Sequence, residues 1–367
     1  MKRIKLIFIN AFVFAVLLIL VDPIIKSDFA LIPETPRSIV LREFHPNLNI
    51  EFKNRQQVQN NPNAELKSIK IKTDQDGFLT NSYPANHNEV DIIFFGGSTT
   101  ASLYVDEPYR WTALVQNNLS TELERQVSVI NSSLSGNNSM HSNLALISKG
   151  IERSPKVAVI MNVINDIGLL TKTNSYFDVP ASRSIINNKN LIDNEKKNYN
   201  NLSYLFKKAL KNIYPNLYGF IRDRVLGYNV TLRKDEFSNY RQVKINKKNV
   251  LNEYSKSINL FLSICNTYNI KPVLMTQFNL FNNLEFVRNN YSENYPEDEQ
   301  FLRFIDTYNS ANNLIREIAE KQDVDLIDLD KLIPKSIDNF VDAVHLTNNG
   351  SKIVSDIVSD SLITLVK

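Results

Sequence analysis

The chain has 367 residues, 43% of them hydrophobic and 22% charged, which is typical of a globular protein with one large domain and some additions. Its net charge of +3 is too small to indicate a nucleic acid or another polyanion as a partner. The single cysteine, Cys265, excludes an intramolecular disulfide and a thiolate metal cluster, and its apolar neighbours predict a core residue.

Residues 1–25 have the pattern of a membrane-targeting segment. Three basic residues within the first five positions precede an apolar run from Leu6 to Val21. The pattern fits a signal peptide or a short signal anchor, and the lack of a small-x-small cleavage site after the run favours the anchor. Because the basic end of such a segment stays in the cytoplasm, we expect the rest of the chain to be extracytoplasmic, in the periplasm or at the cell surface.

Residues 26–66 carry scattered prolines and polar stretches, which predict a stalk or an irregular N-terminal extension. From residue 67 to 367, short apolar segments alternate with longer amphipathic ones, as in an α/β domain with a parallel sheet. The five predicted strands are Val90–Phe95, Val127–Asn131, Val157–Val163, Pro272–Thr276 and Val324–Leu329. Helices are predicted over residues 108–125, 249–268, 301–320 and 348–366, with Thr347 as the N-cap of the last.

Residues 171–248 interrupt this alternation with an Asn- and Lys-rich stretch that contains scattered aromatic residues. We interpret the stretch as an insertion between the third and fourth strands, partly helical near residues 200–226. A long insertion at the carboxyl edge of a sheet is either a lid over a binding site or a surface excursion, and the sequence leaves both open.

The first predicted strand runs directly into Gly96-Gly97-Ser98-Thr99-Thr100. This puts a hydroxyl at the carboxyl end of a parallel strand, where α/β sheets bind ligands, beside glycines that allow a substrate to approach the backbone. The segment lacks the Gly-Lys-Ser/Thr of a Walker loop, and Thr100 replaces the last glycine of a Gly-x-Ser-x-Gly elbow. Taken alone, it fits a nucleophilic serine, an ordinary turn or another phosphate-binding loop.

Asp342 and His345 lie just before the last predicted helix. An aspartate three residues before a histidine in a turn can accept a hydrogen bond from Nδ1 and leave Nε2 directed toward a serine. A helix-capping aspartate beside a surface histidine is the alternative. The segments after the second and third strands supply Gly136 and Asn165, which could converge with the N–H of Ser98 on one oxyanion.

The sequence resembles the SGNH, or GDSL-like, hydrolase superfamily, because it has the family's four signature blocks in the family's order, represented by Ser98, Gly136, Asn165 and His345. The resemblance covers residues 74–366, apart from most of the insertion. The resemblance implies a flavodoxin-like three-layer α/β/α sandwich. It also implies an activity that needs no cofactor. It implies Ser98 as nucleophile, His345 as base and Asp342 as the group that orients the histidine. It also implies an oxyanion hole formed by Ser98, Gly136 and Asn165.

The sequence departs from the family pattern at two positions: Gly97 stands where the aspartate of the Gly-Asp-Ser form would be, and Val163 where glycine is usual. Asp166 is predicted to accept hydrogen bonds within its loop. His141, near Gly136, either reaches the mouth of the pocket or lies on a helix surface, and we favour the surface. Three aspartates alternate near the last strand without a histidine, so we interpret them as strand-end polar residues and predict no metal site. They are Asp325, Asp328 and Asp330.

The primary hypothesis is hydrolysis of an ester through an acyl-enzyme, with an O-acetyl or other acyl group of a cell-envelope glycan as substrate. The substrate depends on the predicted topology and on family analogy. The same residues would serve an O-acyltransferase that hands the acyl group to a sugar hydroxyl. A third hypothesis is a non-enzymatic glycan-binding or assembly protein whose site is intact but unused.

Overall fold

The computed structural model describes residues 41–53, 68–81, 90–177, 245–291 and 298–367, together with a few isolated positions. Apart from residues 10, 12 and 13, these belong to one compact unit, Val40–Ile186 with Lys207–Lys367. The predicted anchor lies almost entirely outside the described residues, as do residues 186–244 of the predicted insertion. Within the described ranges, no helix has the length and apolarity needed to cross a membrane.

A five-stranded parallel sheet forms the centre of the unit. Numbered after an antiparallel pair that precedes them, its strands are β3 (Ile92–Gly96), β4 (Val129–Ser133), β5 (Val157–Met161), β6 (Lys271–Met275) and β7 (Asp325–Ile327). They lie in the order β4-β3-β5-β6-β7, and every neighbouring pair is parallel. Counted along the chain this is the order 2-1-3-4-5 of flavodoxin-like sheets, so the predicted five-stranded parallel sheet is confirmed.

Helices follow the strands, as the alternating pattern predicts. Those of the described residues are α1 (Ser98–Ala101), α2 (Trp111–Glu122), α3 (Ser139–Ala145), α4 (Val163–Thr173), α5 (Lys247–Thr267), α6 (Leu284–Tyr291), α7 (Asp298–Gln322), α8 (Leu329–Leu332) and α9 (Asn348–Val366). The four predicted helices correspond to α2, α5, α7 and α9. Thr347 caps α9, since its hydroxyl accepts the N–H of Gly350 at 3.2 Å.

The strands are buried on both faces, and their side chains alternate between two helical layers. On one face, Phe95 packs edge-on against Phe261 of α5, with ring centroids 5.7 Å apart, in a cluster that also includes α3, α4 and α7. On the other face, Phe94 packs edge-on against Trp111 of α2 at 4.8 Å, in a cluster completed by α9. The continuous apolar strands of the sequence are therefore the middle layer of three.

A two-stranded antiparallel sheet precedes the main one and is not predicted by the sequence. Its strands are β1 (Asn49–Lys53) and β2 (Ser68–Lys72), paired in register from Asn49 with Lys72 to Lys53 with Ser68. The N–H of Leu79 donates to the carbonyl of Asn131 at 3.0 Å, so this region is joined to the edge strand β4.

Candidate active site

Ser98 is the first residue of α1, the single-turn helix that follows β3. The N–H groups of Ala101 and Ser102 donate to the carbonyls of Gly97 and Ser98, both at 2.9 Å. Ser102 then adopts φ 52°, which ends the helix and turns the chain back. This turn holds the Ser98 hydroxyl at the carboxyl edge of the sheet, where α/β folds bind their ligands.

His345 joins Ser98 to Asp342 through hydrogen bonds at both ring nitrogens. Its Nε2 lies 2.8 Å from Oγ of Ser98, and its Nδ1 lies 2.7 Å from Oδ2 of Asp342. The other carboxylate oxygen of Asp342 accepts the backbone N–H groups of Val344 and His345, each at 2.9 Å. This network assigns the proton to Nδ1 and leaves Nε2 to accept from the serine hydroxyl.

The electrostatics around Asp342 keep its carboxylate ionised. Burial by itself raises the pKa of this group, but the charge of His345, the hydrogen bond from its ring and the two backbone N–H bonds hold the pKa below its ordinary value. An ionised carboxylate at this position retains the proton on Nδ1 of His345 and stabilises a positive charge on the ring.

Asn165 lies in the first turn of α4, and α4 begins at Val163. The predicted strand through Val163 was therefore too long, and Asn165 does not lie in a loop. Its Nδ2 donates to the carbonyl of Asn137 at 2.9 Å, and that carbonyl also accepts from Nδ2 of Asn162 at 2.9 Å. A Cβ on Gly97 would lie 1.8 Å from Nδ2 of Asn165. The Asn165 amide is therefore directly against the residue that precedes the nucleophile.

Gly136 lies in the turn that carries Asn137. The N–H of Asn137 donates to the carbonyl of Leu134 at 2.9 Å, and Gly136 has φ 80°, the conformation that the third position of a type II turn demands. Arg42 fixes the turn from outside: its Nη1 donates to Oδ1 of Asn137 at 2.6 Å, and its carbonyl accepts from Nδ2 at 3.1 Å. Residues of the predicted N-terminal extension thus contact the turn that positions Asn165.

Four of the five sequence-predicted site residues are more exposed than the residues that support them. Ser98, Gly136, Asn165 and His345 are half-buried, so a substrate can reach them. Asp342 is buried, as are the supporting residues Asn137 and Asn162. The arrangement is that of a solvent-facing set of polar groups held by a buried polar layer.

Gln277, which the sequence analysis did not identify, connects the nucleophile turn with α4. Its Nε2 donates to Oγ1 of Thr99 at 3.2 Å, and its Oε1 accepts the backbone N–H of Ile164 at 2.9 Å. The N-cap residue of α4, Asn162, makes no side-chain cap bond, so Gln277 satisfies a donor at the start of that helix. Trp111 holds the same turn by donating from Nε1 to the carbonyl of Thr99 at 3.0 Å.

Asp166 is a hydrogen-bond acceptor, as predicted, within a buried polar cluster below Asn165. It accepts the N–H of Ser139 at 3.0 Å and the hydroxyls of Ser139 and Tyr176. Burial raises the pKa of Asp166 to about 7 in spite of these donors. The cluster continues to α5, where Oγ of Ser257 lies 2.6 Å from that of Ser139.

The prediction that His141 lies on a helix surface is wrong, because its side chain is only 4% exposed. Its backbone N–H donates to Oδ1 of Asn138 at 3.2 Å, and its ring Nδ1 accepts the backbone N–H of Asn138 at 3.2 Å. The histidine is therefore buried as part of the capping box that begins α3.

The three aspartates near β7 are engaged in ion pairs. Arg316 binds Asp328 and Asp330 at 2.7 and 2.8 Å, and Lys271 binds Asp325 at 2.7 Å. Among the described residues, no group of three or more His, Cys, Asp or Glu side chains could hold a metal ion. Cys265 is buried in the core, as predicted, and burial raises the pKa of its thiol to about 12.

No protein-family model and no curated protein matches the chain. The solved structures that it resembles include GDSL-like lipases, acylhydrolases and acetyl xylan esterases. An acetyl xylan esterase matches at 16% identity over 74% of this chain and 100% of its own, with a TM-score of 0.42. The lipase/acylhydrolase from Enterococcus faecalis matches at 16% over 75% and 96%, with a TM-score of 0.42.

A GDSL-like lipase from Bacteroides thetaiotaomicron matches at 11% identity over 77% of this chain and 91% of its own, with a TM-score of 0.40. At such identities and TM-scores, these likenesses assign neither an activity nor a substrate to this chain.

Proposed function

We propose that this protein is a serine esterase or acylhydrolase of the SGNH type with Ser98 as its nucleophile. The observation that carries the proposal is the chain of hydrogen bonds from Asp342 through His345 to Ser98, at 2.7 and 2.8 Å. A histidine whose Nδ1–H is held by a carboxylate directs the lone pair of Nε2 at the serine hydroxyl. General-base activation of a serine requires this arrangement.

In the proposed reaction, Nε2 of His345 takes the hydroxyl proton of Ser98 while Oγ attacks the carbonyl carbon of an ester. The resulting imidazolium gives its proton to the leaving alkoxide, and an acyl-enzyme remains. Water then attacks the acyl-enzyme with His345 again as base, which releases the acid and restores Ser98.

Negative charge develops on the carbonyl oxygen during both steps. The primary amide of Asn165 has a second N–H besides the one donated to Asn137, and it lies beside the nucleophile turn. We propose that this N–H and the backbone N–H groups of Ser98 and Gly136 form the oxyanion hole. A single donor of this kind is worth about 10²–10³-fold in kcat.

For the substrate, we propose an O-acyl group, such as acetyl, on a cell-envelope glycan. The support is the N-terminal sequence, whose basic residues and apolar run favour a membrane anchor with the domain outside the cytoplasm. In untreated spheroplasts the domain should be found in the membrane fraction, and protease added to intact spheroplasts should degrade it. A domain protected until the cells are lysed would contradict this location.

An O-acyltransferase would use the same residues with a sugar hydroxyl in place of water. Incubation with an acetylated donor and a glycan acceptor separates the two reactions. Free acetate as the sole product supports hydrolysis, and net transfer to the glycan supports the transferase.

The nucleophile is tested by labelling the full-length protein in detergent with a fluorophosphonate. Ser98→Ala is compared with Ser361→Ala, a matched control on the exposed face of α9 whose hydroxyl donates to the carbonyl of Ile357. We expect the wild type and the control to label, and Ser98→Ala to remain unlabelled and to lose about 10⁴-fold or more in ester hydrolysis. Labelling of Ser98→Ala at the wild-type rate, or no labelling of folded wild type, would refute the proposal.

A further inference from the structure

The ring of Tyr104 lies against one face of the His345 imidazole. The ring centroids are 4.4 Å apart and the planes are tilted by 35°. Tyr104 is half-buried, and no sequence motif singles it out. Its ring nevertheless covers one face of His345, the residue that joins Asp342 to Ser98.

The backbone brings Tyr104 to this position in a way that depends on the nucleophile turn. Ser102, with φ 52°, reverses the chain after α1, and the N–H of Val105 donates to its carbonyl at 3.1 Å. The returning segment is then fastened to α9, since Oγ of Ser351 donates to the carbonyl of Tyr109 at 2.6 Å. Because α9 begins directly after the turn that carries His345, both rings of the stack are held by connected elements.

The hydrogen bonds of His345 act in the plane of its ring, at Nδ1 and Nε2. They therefore resist rocking of the ring about the Cβ–Cγ bond less than they resist movement within the plane. The freedom increases in the acyl-enzyme, where Oγ of Ser98 has lost its proton to the reaction and no longer donates to Nε2. A planar side chain packed against the face of the imidazole opposes the rocking in both states.

The surroundings of Tyr104 suit this role. Burial, with a smaller effect from the negative charge of Asp342, raises the pKa of its phenol to about 12. The phenol of Tyr104 is therefore uncharged at neutral pH. A neutral aromatic face also attracts the imidazolium that forms as Ser98 is deprotonated.

We propose that Tyr104 is a positioning residue whose ring face holds the imidazole of His345 in line with Asp342 and Ser98. The inference rests on the proposed esterase function. Tyr104 acts through His345, so it should affect turnover more than substrate binding, and its aromatic face should matter more than its hydroxyl.

The test uses the full-length protein with Tyr104→Phe, which keeps the ring, and Tyr104→Met and Tyr104→Leu, which remove the planar face. Hydrolysis of p-nitrophenyl acetate and the rate constant of fluorophosphonate labelling are measured. We expect Met and Leu to lower kcat and the labelling rate constant about 10- to 100-fold with KM nearly unchanged, the cost of a misplaced catalytic group. Tyr104→Phe, which keeps the ring, should leave kcat and the labelling rate constant close to the wild-type values.

The outcomes separate this inference from the proposed function. If folded wild type is not labelled, the esterase proposal fails and the inference falls with it. If wild type is labelled and the Met or Leu variant reacts equally fast, Tyr104 is not a positioning residue although the esterase proposal stands. A Phe variant as slow as Met would also overturn the inference. The value of kcat is calculated per molecule that can be labelled, and the labelling rate constant is fitted to that same fraction. Partial unfolding of a variant therefore does not produce the expected decrease.

Discussion

Nδ2 of Asn165 occupies the space that a side chain on Gly97 would need, since a Cβ at Gly97 would lie only 1.8 Å from it. The glycine that replaces the aspartate of the Gly-Asp-Ser form is therefore required by the position of the Asn165 amide. The departure of Gly97 from the family pattern in the first signature block is thus explained by the position of Asn165 in the third block.

Gly97→Ala should lower kcat about 10²–10³-fold, the value of one oxyanion donor, because the methyl group displaces the Asn165 amide. The free energy of unfolding should fall by about 1 kcal/mol, since the displaced amide loses its hydrogen bond to the carbonyl of Asn137 and the new Cβ lies 3.0 Å from that oxygen. Gly168→Ala in α4 is the matched control: a Cβ there has nothing within 4 Å, and alanine should stabilise the helix by about 0.5–1 kcal/mol with activity unchanged. Full activity in Gly97→Ala would argue against Asn165 as an oxyanion donor.

Asp342→Asn should lower kcat by about 10⁴-fold, because an amide at this position favours the wrong tautomer of His345. The backbone N–H groups of Val344 and His345 can still donate to the remaining oxygen, so the turn should be retained. Ester hydrolysis measures the loss, and thermal unfolding checks the fold. A variant nearly as fast as the wild type would remove Asp342 from the mechanism.

Asp166 should make the stability of the protein depend on pH. Its pKa is about 7 in the folded protein, against about 3.9 for an ordinary aspartate, so between these values the folded state binds a proton that the unfolded state has released. Its contribution to stability is therefore complete below about pH 4 and is lost as the pH rises through 7.

Asp166→Asn should abolish this part of the pH dependence, because an amide has no charge to bury. Urea unfolding at several pH values between 4 and 8 measures the effect, with Asp360→Asn on the exposed face of α9 as the control. Identical pH profiles for the wild type and Asp166→Asn would contradict the raised pKa.

Gln277→Leu should lower the free energy of unfolding by about 1–3 kcal/mol, because the buried N–H of Ile164 loses its acceptor. Activity should fall as well, since the start of α4 carries Asn165. Gln322→Leu at the exposed end of α7 serves as the control, with an expected change within about 0.5 kcal/mol. Equal unfolding free energies for the two variants would show that Gln277 does not cap α4.

The parallel sheet could be predicted because its strands are buried on both faces and read as continuous apolar runs. The limits of the five predicted strands differ from those observed by no more than two residues. Strand β1 gave no such signal, because Asn49–Lys53 has only two apolar residues and Ile50 is exposed. Its pairing with β2 depends on backbone hydrogen bonds that composition does not reveal.

The site was predictable only where its residues belong to recognisable blocks. The structure brings Ser98, Asp342 and His345 into one hydrogen-bonded chain, while their catalytic roles stay a prediction. Gln277 and Tyr104 were missed because their importance comes from contacts with residues far along the chain. His141 was assigned to the surface because a polar helix residue is usually exposed, and its burial follows from the cap it forms with Asn138.

The hydrogen bonds between Arg42 and Asn137 have a practical consequence for anyone who shortens this protein from its N-terminus. A version that starts at residue 67, where the regular α/β pattern begins, would lack Arg42, strand β1 and the ion pair of Glu43 with Lys149 at 2.5 Å. Such a version would keep every predicted catalytic residue and still lose the contacts that support the turn of Gly136 and Asn137 from outside. A version that starts at Leu41 keeps the hydrogen bonds of Arg42 with Asn137 and removes the apolar N-terminal segment.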